Sequence, residues 1–226
     1  MLICSLCGHA EFKSIDVLWP ELIMQWQLSA SEAAYVNHQQ GTHCVNCGAN
    51  LRVIALADAL REAWQSNLLL GDFVETEHAK RLRVLDINGS QALSKLLSRL
   101  PGYTRVDYPA VDIQALPYAD RFFDTVIHSD TLEHVAVPLK ALEECRRVLT
   151  DGGRLCFTVP IIVGRMSRSR AGLPPSFHGD PATGSSDFQV QSEFGADVWT
   201  LVASAGFRRI MLNQVQYPSA IALSAW

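Results

Sequence analysis

The sequence has no excess of positive charge and no long apolar run. Its formal net charge is −4 over 226 residues, which argues against a nucleic-acid or anionic-membrane surface. No stretch approaches the roughly 18 apolar residues of a membrane span. The N-terminus "MLICSLCGHA" lacks the basic region and apolar run of a signal peptide. We therefore expect a cytoplasmic protein that binds neither nucleic acid nor membrane.

The sequence is also poor in glycine where a nucleotide-binding turn would need it. The stretch "RVLDINGSQALSKLL" reads as a strand that runs into a helix, with Gly89 as its one glycine. A Gly-x-Gly-x-x-Gly pattern is absent, so an NAD site is disfavoured although Asp107 follows at about the expected distance of 20 residues. Asn88 tolerates a positive φ better than most residues, and Ser90 suits a helix cap. The turn therefore either keeps a backbone shape that can bind a cofactor, or it has closed the cofactor site.

Four of the six cysteines form two matching pairs, each followed by glycine: Cys4-x-x-Cys7 and Cys44-x-x-Cys47. Two such pairs can supply four thiolates to one tetrahedral Zn²⁺. Disulfides or redox thiols are the alternative, which a cytoplasmic setting disfavours. We predict a structural zinc site, and we interpret the remaining cysteines, Cys145 and Cys156, as core residues.

Three segments are predicted. Residues 1–50 form a zinc-ribbon module with an inserted helix over 30–40, since Ser29 and Glu32 fit a capping box and Gly41 fits a helix stop. Residues 51–80 form a connecting helix. Residues 81–226 alternate strands and helices, which predicts an α/β, Rossmann-like, mostly parallel sheet with helices on both faces. In such a sheet, ligands bind beyond the carboxyl ends of the strands.

The stretch "VDIQALPYADRFFDTVIHSDTLEHVAVPLKALEECRRVLTDGGRLCFTVP" resembles the class I S-adenosylmethionine-dependent methyltransferases, in particular the broad type 11-like group of small-molecule enzymes. The matching motifs are "ALPYADRFFD", "LEHV" and "RRVLTDGG". The resemblance is good from Arg81 to Pro160 and looser beyond. Some members of that group also carry an N-terminal four-cysteine ribbon. The departure is the first motif, where the family has acid-x-Gly-x-Gly-x-Gly and this chain has Asp86-x-Asn88-Gly89-Ser90-x-Ala92.

The resemblance implies a set of cofactor contacts. Asp86 would support the methionine end of S-adenosylmethionine, with Asn88, Gly89 and Ser90 in the turn beside it. Asp107 would accept hydrogen bonds from both ribose hydroxyls, a role that suits a carboxylate. The remaining cofactor-binding candidates are Tyr108 after the second strand, Asp112, Ile113 and Gln114 along the adenine edge, Leu116 on the ring, and Ser129 near the methionine group.

The implied function is methyl transfer to a small molecule, with a saccharide-type acceptor as the finer expectation. A hydroxyl nucleophile needs a base close by, and the candidates are Asp130, His134, His178 and Asp180. His178 lies in the long segment from Ile161 to about Asp187, where a lid is expected. Trp19, Trp26 and Tyr35 either line an acceptor pocket or belong to the core.

Two alternatives come from other functional classes. One is a catalytically silent binding protein with the same fold, and the other is a zinc-ribbon interaction module. Cofactor binding separates the first alternative from an enzyme. The net charge disfavours a nucleic-acid partner for the second.

Overall fold

The computed structural model describes residues 2–177 and 188–226. The strands are β1 (Phe12–Ser14), β2 (Thr42–Cys44), β3 (Val84–Ile87), β4 (Tyr103–Val106), β5 (Phe123–Ser129), β6 (Leu149–Thr158), β7 (Ile161–Ile162), β8 (Arg168–Ser169), β9 (Ser192–Gly195), β10 (Ile210–Val215) and β11 (Ala220–Ala225). The α-helices are α1 (Pro20–Gln25), α2 (Ala30–Gly41), α3 (Leu51–Ala63), α4 (Leu70–Phe73), α5 (Ala92–Leu97), α6 (Pro138–Val148) and α7 (Val198–Ser204).

The N-terminal segment builds a small two-stranded sheet. Strands β1 and β2 pair antiparallel, with Phe12 opposite Cys44. Helix α2 begins as predicted, because Ser29 and Glu32 form both hydrogen bonds of a capping box. Helix α1 was not predicted. Its six residues follow Trp19, and Pro20 suits its first turn.

The main sheet has six strands in the order β10-β11-β6-β5-β3-β4. Strands β3, β4, β5 and β6 are parallel, whereas β11 runs antiparallel between β6 and β10. From β3 the chain passes first to β4 on one side and then to β5 on the other. This reversal of strand order brings the carboxyl ends of β3 and β5 together at a switch point. The predicted α/β, Rossmann-like and mostly parallel sheet is confirmed.

Helices cover both faces of this sheet, also as predicted. One buried cluster joins α3 and α5 to inward residues such as Val84 and Ile127, and it extends to Cys4 and Cys44 of the ribbon. The other joins α6 and α7 to the alternate residues of the same strands, such as Leu85 and Val126. Because successive strand residues point to opposite faces, one sheet supplies both cores. Cys145 and Cys156 are buried in these cores.

The segment after β6 has more structure than the predicted loop. Strand β7 pairs parallel with β9, and β8 pairs antiparallel with β9, so a second, three-stranded sheet forms beside the main one. These strands are only two to four residues long, which explains why hydrophobic periodicity does not reveal them. Among the described residues, no helix is long and apolar enough to cross a membrane.

Candidate functional site

The turn after β3 keeps a left-handed backbone without the expected glycines. Asn88 has φ 63°, Gly89 has φ 70° and Gln91 has φ 51°. Asparagine and glycine are the residues that adopt this region most easily, whereas glutamine adopts it at a cost of about 1–3 kcal/mol. The turn therefore keeps a positive-φ backbone without the family's glycines, and the backbone strain lies at Gln91.

Asn88 also does something glycine could not do. Its side-chain Oδ1 accepts from the N–H of Tyr108 at 2.8 Å, whereas its backbone N–H donates to the carbonyl of Val106 at 2.8 Å as a glycine's would. Its Nδ2 lies 3.4 Å from Oγ1 of Thr131. The side chain thus ties the β3 turn to the segments that follow β4 and β5, the three places where a ligand at the switch point would sit.

Asp86 lies beneath the turn and is fully buried. Its Oδ2 accepts from the hydroxyls of Ser94 (2.5 Å) and Tyr103 (2.6 Å). Burial raises the pKa of this carboxyl, and the two hydroxyl donors partly offset that effect. Ser94 also accepts from the backbone N–H of Ser90. The carboxylate therefore holds the turn in place from below. Its predicted support of a methionine group stays a prediction.

Ser90 does not cap helix α5, so that expectation was wrong. The helix begins at Ala92 after Gln91, and no side chain caps it. The Ser90 side chain is buried, and its backbone N–H is bound to the Ser94 hydroxyl. The serine is oriented by the network around Asp86 rather than by the helix end.

A first cavity of about 400 Å³ opens beside this turn. Its lining contains the predicted residues Asn88, Gly89, Ser90, Ser129 and Asp130, together with Asn50, Val53, Gln91 and Arg105. Residues from the start of α3 thus meet the turn after β3 and the end of β5. The position at the switch point agrees with the topological prediction.

The other predicted cofactor residues lie outside this lining. Asp112 caps the short turn Ile113–Ala115 by accepting from the N–H of Gln114 at 2.8 Å, and the Gln114 side chain accepts from Val137 N–H at 3.0 Å. Ile113 and Leu116 are buried in the core under α6. Tyr108 is exposed. These side chains are engaged in the fold, and their adenine contacts stay predictions.

Asp107 is paired with an arginine that the sequence reasoning missed. Arg105 donates from Nε and Nη2 to Asp107, with distances of 2.8–3.1 Å. Both side chains are about half exposed. The available signal was their spacing, since residues two apart on a strand point to the same side.

A second cavity of about 540 Å³ adjoins the first, and Gln91 and Asp130 line both. Its apolar lining comes largely from the segment between the two cysteine pairs and includes Val17, Leu18, Trp19, Leu22, Trp26, Pro160 and Phe188. Its polar wall contains Gln40, Gln91, Arg52, Asp130, Glu133 and His134. Of the three aromatic residues considered for such a pocket, Trp19 and Trp26 line it. Tyr35 instead accepts from the N–H of Val163 with its hydroxyl.

Asp130 stands between the two cavities, with φ 51°. Its Oδ2 lies 2.8 Å from Nη2 of Arg52, and the Arg52 side chain is 10% exposed. Arg52 is on α3 directly after the second cysteine pair, within an apolar stretch that gives no sign of a site. The ion pair joins α3 to the end of β5, so it could not be predicted from residues that are close in the sequence.

His134 has a defined tautomer. Its Nδ1 lies 3.0 Å from the carbonyl oxygen of Gln189, and a carbonyl can only accept, so Nδ1 carries the proton and Nε2 carries the lone pair. Burial lowers the pKa of this imidazole, so it is neutral at pH 7. Nε2 is 3.7 Å from Oε1 of Glu133, whose pKa burial raises well above its usual value. His178, the third catalytic candidate, and Asp180 lie outside the described residues.

The four paired cysteines form one compact cluster, and their Sγ atoms all lie within 4.8 Å of one another. Cys4 and Cys47 are 3.5 Å apart, and Cys7 and Cys44 are 3.6 Å apart. These distances exclude disulfides, which need about 2.05 Å. They approach the roughly 3.8 Å between thiolates that share a tetrahedral zinc at about 2.3 Å. The donor set therefore fits Zn²⁺.

The two cysteine turns have the same backbone shape. Gly8 and Gly48 each have φ 76°, and each donates its N–H to the carbonyl of the first cysteine in its pair, at 2.8 and 2.9 Å. Glycine adopts this conformation without strain. The repeated geometry explains why glycine follows both pairs.

Comparison with known sequences identifies the central segment. Residues 71–157 match the sequence model of the methyltransferase domain family. The matched segment covers less than half of the chain. It contains the β3 turn, Asp107 and Asp130. The match and the sheet order together support the predicted class of enzyme, an S-adenosylmethionine-dependent methyltransferase.

Relatives match the chain over shorter segments. A demethylmenaquinone methyltransferase of Clavibacter sepedonicus is 44% identical over 57 residues, covering 25% of this chain and 23% of that protein. A ubiquinone biosynthesis O-methyltransferase of Cereibacter sphaeroides is 38% identical over 68 residues, covering 30% and 27%. The chain thus spans about a quarter of the length of these curated relatives.

Among solved structures, a methyltransferase of Thermotoga maritima described as a possible histamine N-methyltransferase aligns with TM-score 0.39 and 18% identity. The alignment covers 74% of this chain and 90% of that chain. The CurJ carbon methyltransferase aligns with TM-score 0.45 and 14% identity, covering 91% and 69%.

Proposed function

We propose that this protein transfers the methyl group of S-adenosylmethionine to a small-molecule acceptor. The observation that carries the proposal is the pair of adjoining cavities at the switch point of the sheet, which share Gln91 and Asp130. The first cavity is bordered by the turn of a matched methyltransferase domain. The second is within the size range of small-molecule sites, about 300–1,000 Å³.

The turn residues would hold the cofactor. Asn88, Gly89 and Ser90 border the first cavity from one side, and Ser129 and Asp130 border it from the other. The sulfonium supplies a methyl group that leaves by in-line displacement. The protein's contribution to such a step is mainly alignment of donor and acceptor, since positioning alone can supply about 7–11 kcal/mol of a barrier.

His134 is the proposed base for an acceptor hydroxyl. Its Nδ1–H is held by the Gln189 carbonyl, so the lone pair on Nε2 can accept a proton. Asp130 is a weaker candidate because Arg52 already donates to it at 2.8 Å. We assign Asp130 to positioning at the boundary between the cavities, and His134 to proton removal.

The acceptor cavity suits a saccharide-type molecule. A pyranose presents an apolar C–H face and a rim of hydroxyls, and the lining of this cavity contains two tryptophan side chains together with amide and carboxyl groups. Trp26 is fixed in place, because its indole N–H donates to the Ser176 hydroxyl at 2.7 Å. The relatives are named as a demethylmenaquinone methyltransferase and a ubiquinone biosynthesis O-methyltransferase, so a hydroquinone is the competing acceptor class.

Calorimetry with S-adenosylmethionine and S-adenosylhomocysteine tests the first part of the proposal. Binding is expected for both ligands, and the absence of any binding heat at millimolar concentrations would refute the enzyme hypothesis. Binding without transfer to any acceptor would favour the catalytically silent alternative.

Transfer of a tritiated methyl group to a panel of methyl glycosides and hydroquinones tests the acceptor. Labelling of glycosides is expected. Labelling of hydroquinones alone would overturn the saccharide assignment while leaving the methyltransferase in place.

We also propose that the four-cysteine cluster holds one structural Zn²⁺. Cys4 and Cys44 are buried in the core that contains α3, so the metal would stabilise the helix that places Arg52, Asn50 and Val53 at the cavities. Localisation to the cytoplasm is part of the same proposal, since the reduced thiols needed for zinc persist there. Cell fractionation tests it, and recovery in the membrane or secreted fraction would contradict it.

A further inference from the structure

Arg105 lies between the two parts of the predicted cofactor site. It is on β4, two residues before Asp107, and its guanidinium contacts both oxygens of that carboxylate at 2.8–3.1 Å. A bidentate pairing of this kind uses the geometry in which a carboxylate accepts two parallel donors. The ribose diol of a nucleoside would need the same acceptor positions.

The same guanidinium packs against the turn after β3. A Cβ added to Gly89 would meet the Cζ, Nη2 and Nη1 atoms of Arg105 at 2.7–2.9 Å. No space therefore remains between the arginine and the Gly89 backbone. Arg105 spans the distance from the turn to Asp107 and closes the route between them.

The cavity lining shows the consequence. Arg105 borders the first cavity, whereas Asp107 and the adenine-side candidates do not. A ligand that enters at the turn thus meets the arginine before it reaches the carboxylate. The side chain is about half exposed, so it can swing into solvent when it is displaced.

We propose that Arg105 is an affinity-determining gate of the cofactor site, which competes with the ribose hydroxyls for Asp107. This inference rests on the proposed function, because it takes the ligand to be the S-adenosyl group. Removal of the guanidinium frees both carboxylate oxygens and opens the cavity toward Asp107. Cofactor affinity should therefore rise when Arg105 is shortened.

The test is calorimetric titration of S-adenosylhomocysteine and its 2′-deoxy counterpart into wild type, Arg105→Ala and Arg105→Gln. Competition by an exposed ion pair is worth up to about fivefold in an equilibrium. We expect Arg105→Ala to bind S-adenosylhomocysteine about three- to fivefold tighter. The gain should be smaller for the 2′-deoxy ligand, which has lost one of the hydroxyls that compete for Asp107.

Arg83→Ala is the matched control. Arg83 makes a similar pair with Asp124, at 3.0 Å between Nη2 and Oδ1, and it lies outside both cavities. The affinity of Arg83→Ala for S-adenosylhomocysteine should equal that of wild type. Equal or weaker binding by Arg105→Ala and Arg105→Gln, with wild type binding normally, would overturn the gate and leave the proposed function intact. No binding by any variant would instead remove the proposed function.

Discussion

Replacement of Ser94 by alanine tests how the β3 turn is held. The Ser94 hydroxyl is buried, donates to Asp86 at 2.5 Å and accepts from the backbone N–H of Ser90. The variant leaves the Ser90 N–H without its acceptor, and it leaves Asp86 with Tyr103 as its remaining donor (2.6 Å). The alanine side chain has no polar atom, so it can replace neither of these two hydrogen bonds.

The magnitude follows from these two losses. Each unsatisfied buried group costs about 1–3 kcal/mol. Some relaxation is expected because the two bonds share one hydroxyl, so we expect a total loss of about 2–4 kcal/mol in the free energy of unfolding. For a chain of this size, 1 kcal/mol corresponds to about 2–4 °C in melting temperature. The expected decrease for Ser94→Ala is therefore about 4–16 °C.

Ser98→Ala is the control, since Ser98 is exposed near the end of the same helix and its hydroxyl donates to the carbonyl of Lys95 at 2.9 Å. Its effect should stay within about 0.5 kcal/mol. Both variants are measured by thermal and urea unfolding, followed by titration with S-adenosylhomocysteine. Ser94→Ala should also bind this ligand more weakly because Ser90 borders the cavity. Equal melting temperatures for the two variants would refute the role of the Asp86 network.

Three further predictions concern catalysis, pH and metal. His134→Gln should lower kcat by about 10²–10⁴-fold with little change in S-adenosylhomocysteine affinity, and an unchanged kcat would exclude this base. Since burial lowers the pKa of His134, the decrease of the wild-type rate on the acid side should occur below pH 6.5. Burial lowers the pKa of His128 to about 3, so this histidine takes up a proton at a higher pH in the unfolded chain than in the folded one. Below pH 6, the free energy of unfolding of wild type should therefore decrease by about 1 kcal/mol per pH unit relative to that of His128→Leu. The same difference between the two proteins at pH 5 and pH 7, measured by urea unfolding, would contradict this. Metal analysis should find one zinc per chain in wild type and in the control Cys145→Ala but less in Cys44→Ser, and equal zinc contents in all three would refute the cluster.

Local patterns were sufficient for the secondary structure that depends on neighbours in the chain. The capping box at Ser29 and Glu32 formed as predicted because both partners lie within one helical turn. The apolar runs of β5 and β6 became central strands because both faces of the sheet are covered. By contrast, β7, β8 and β9 are too short for periodicity to reveal, and their paired residues lie 23–33 positions apart in the chain.

The position of the first cavity was predicted from topology, but the contacts around it were not. Topology placed it beyond β3 and β5, and the first cavity lies there. The prediction that Asn88 tolerates a positive φ is confirmed, at 63°. Its links to Tyr108 and Thr131 required knowledge of how three strand ends meet. His134 was a candidate from sequence, but its tautomer depends on the carbonyl of Gln189, 55 residues away.

The sequence by itself predicted the four-cysteine cluster and the alternation of strands and helices in the main sheet. Cysteine spacing, glycine positions and strand–helix alternation act through local backbone geometry, which carries over directly from residue order. The tertiary structure alone decided which charges occupy the site. Arg52 reaches Asp130 across 78 positions, and Arg105 packs on Gly89 from a neighbouring strand. Such contacts depend on packing between elements far apart in the chain, so no local pattern specifies them.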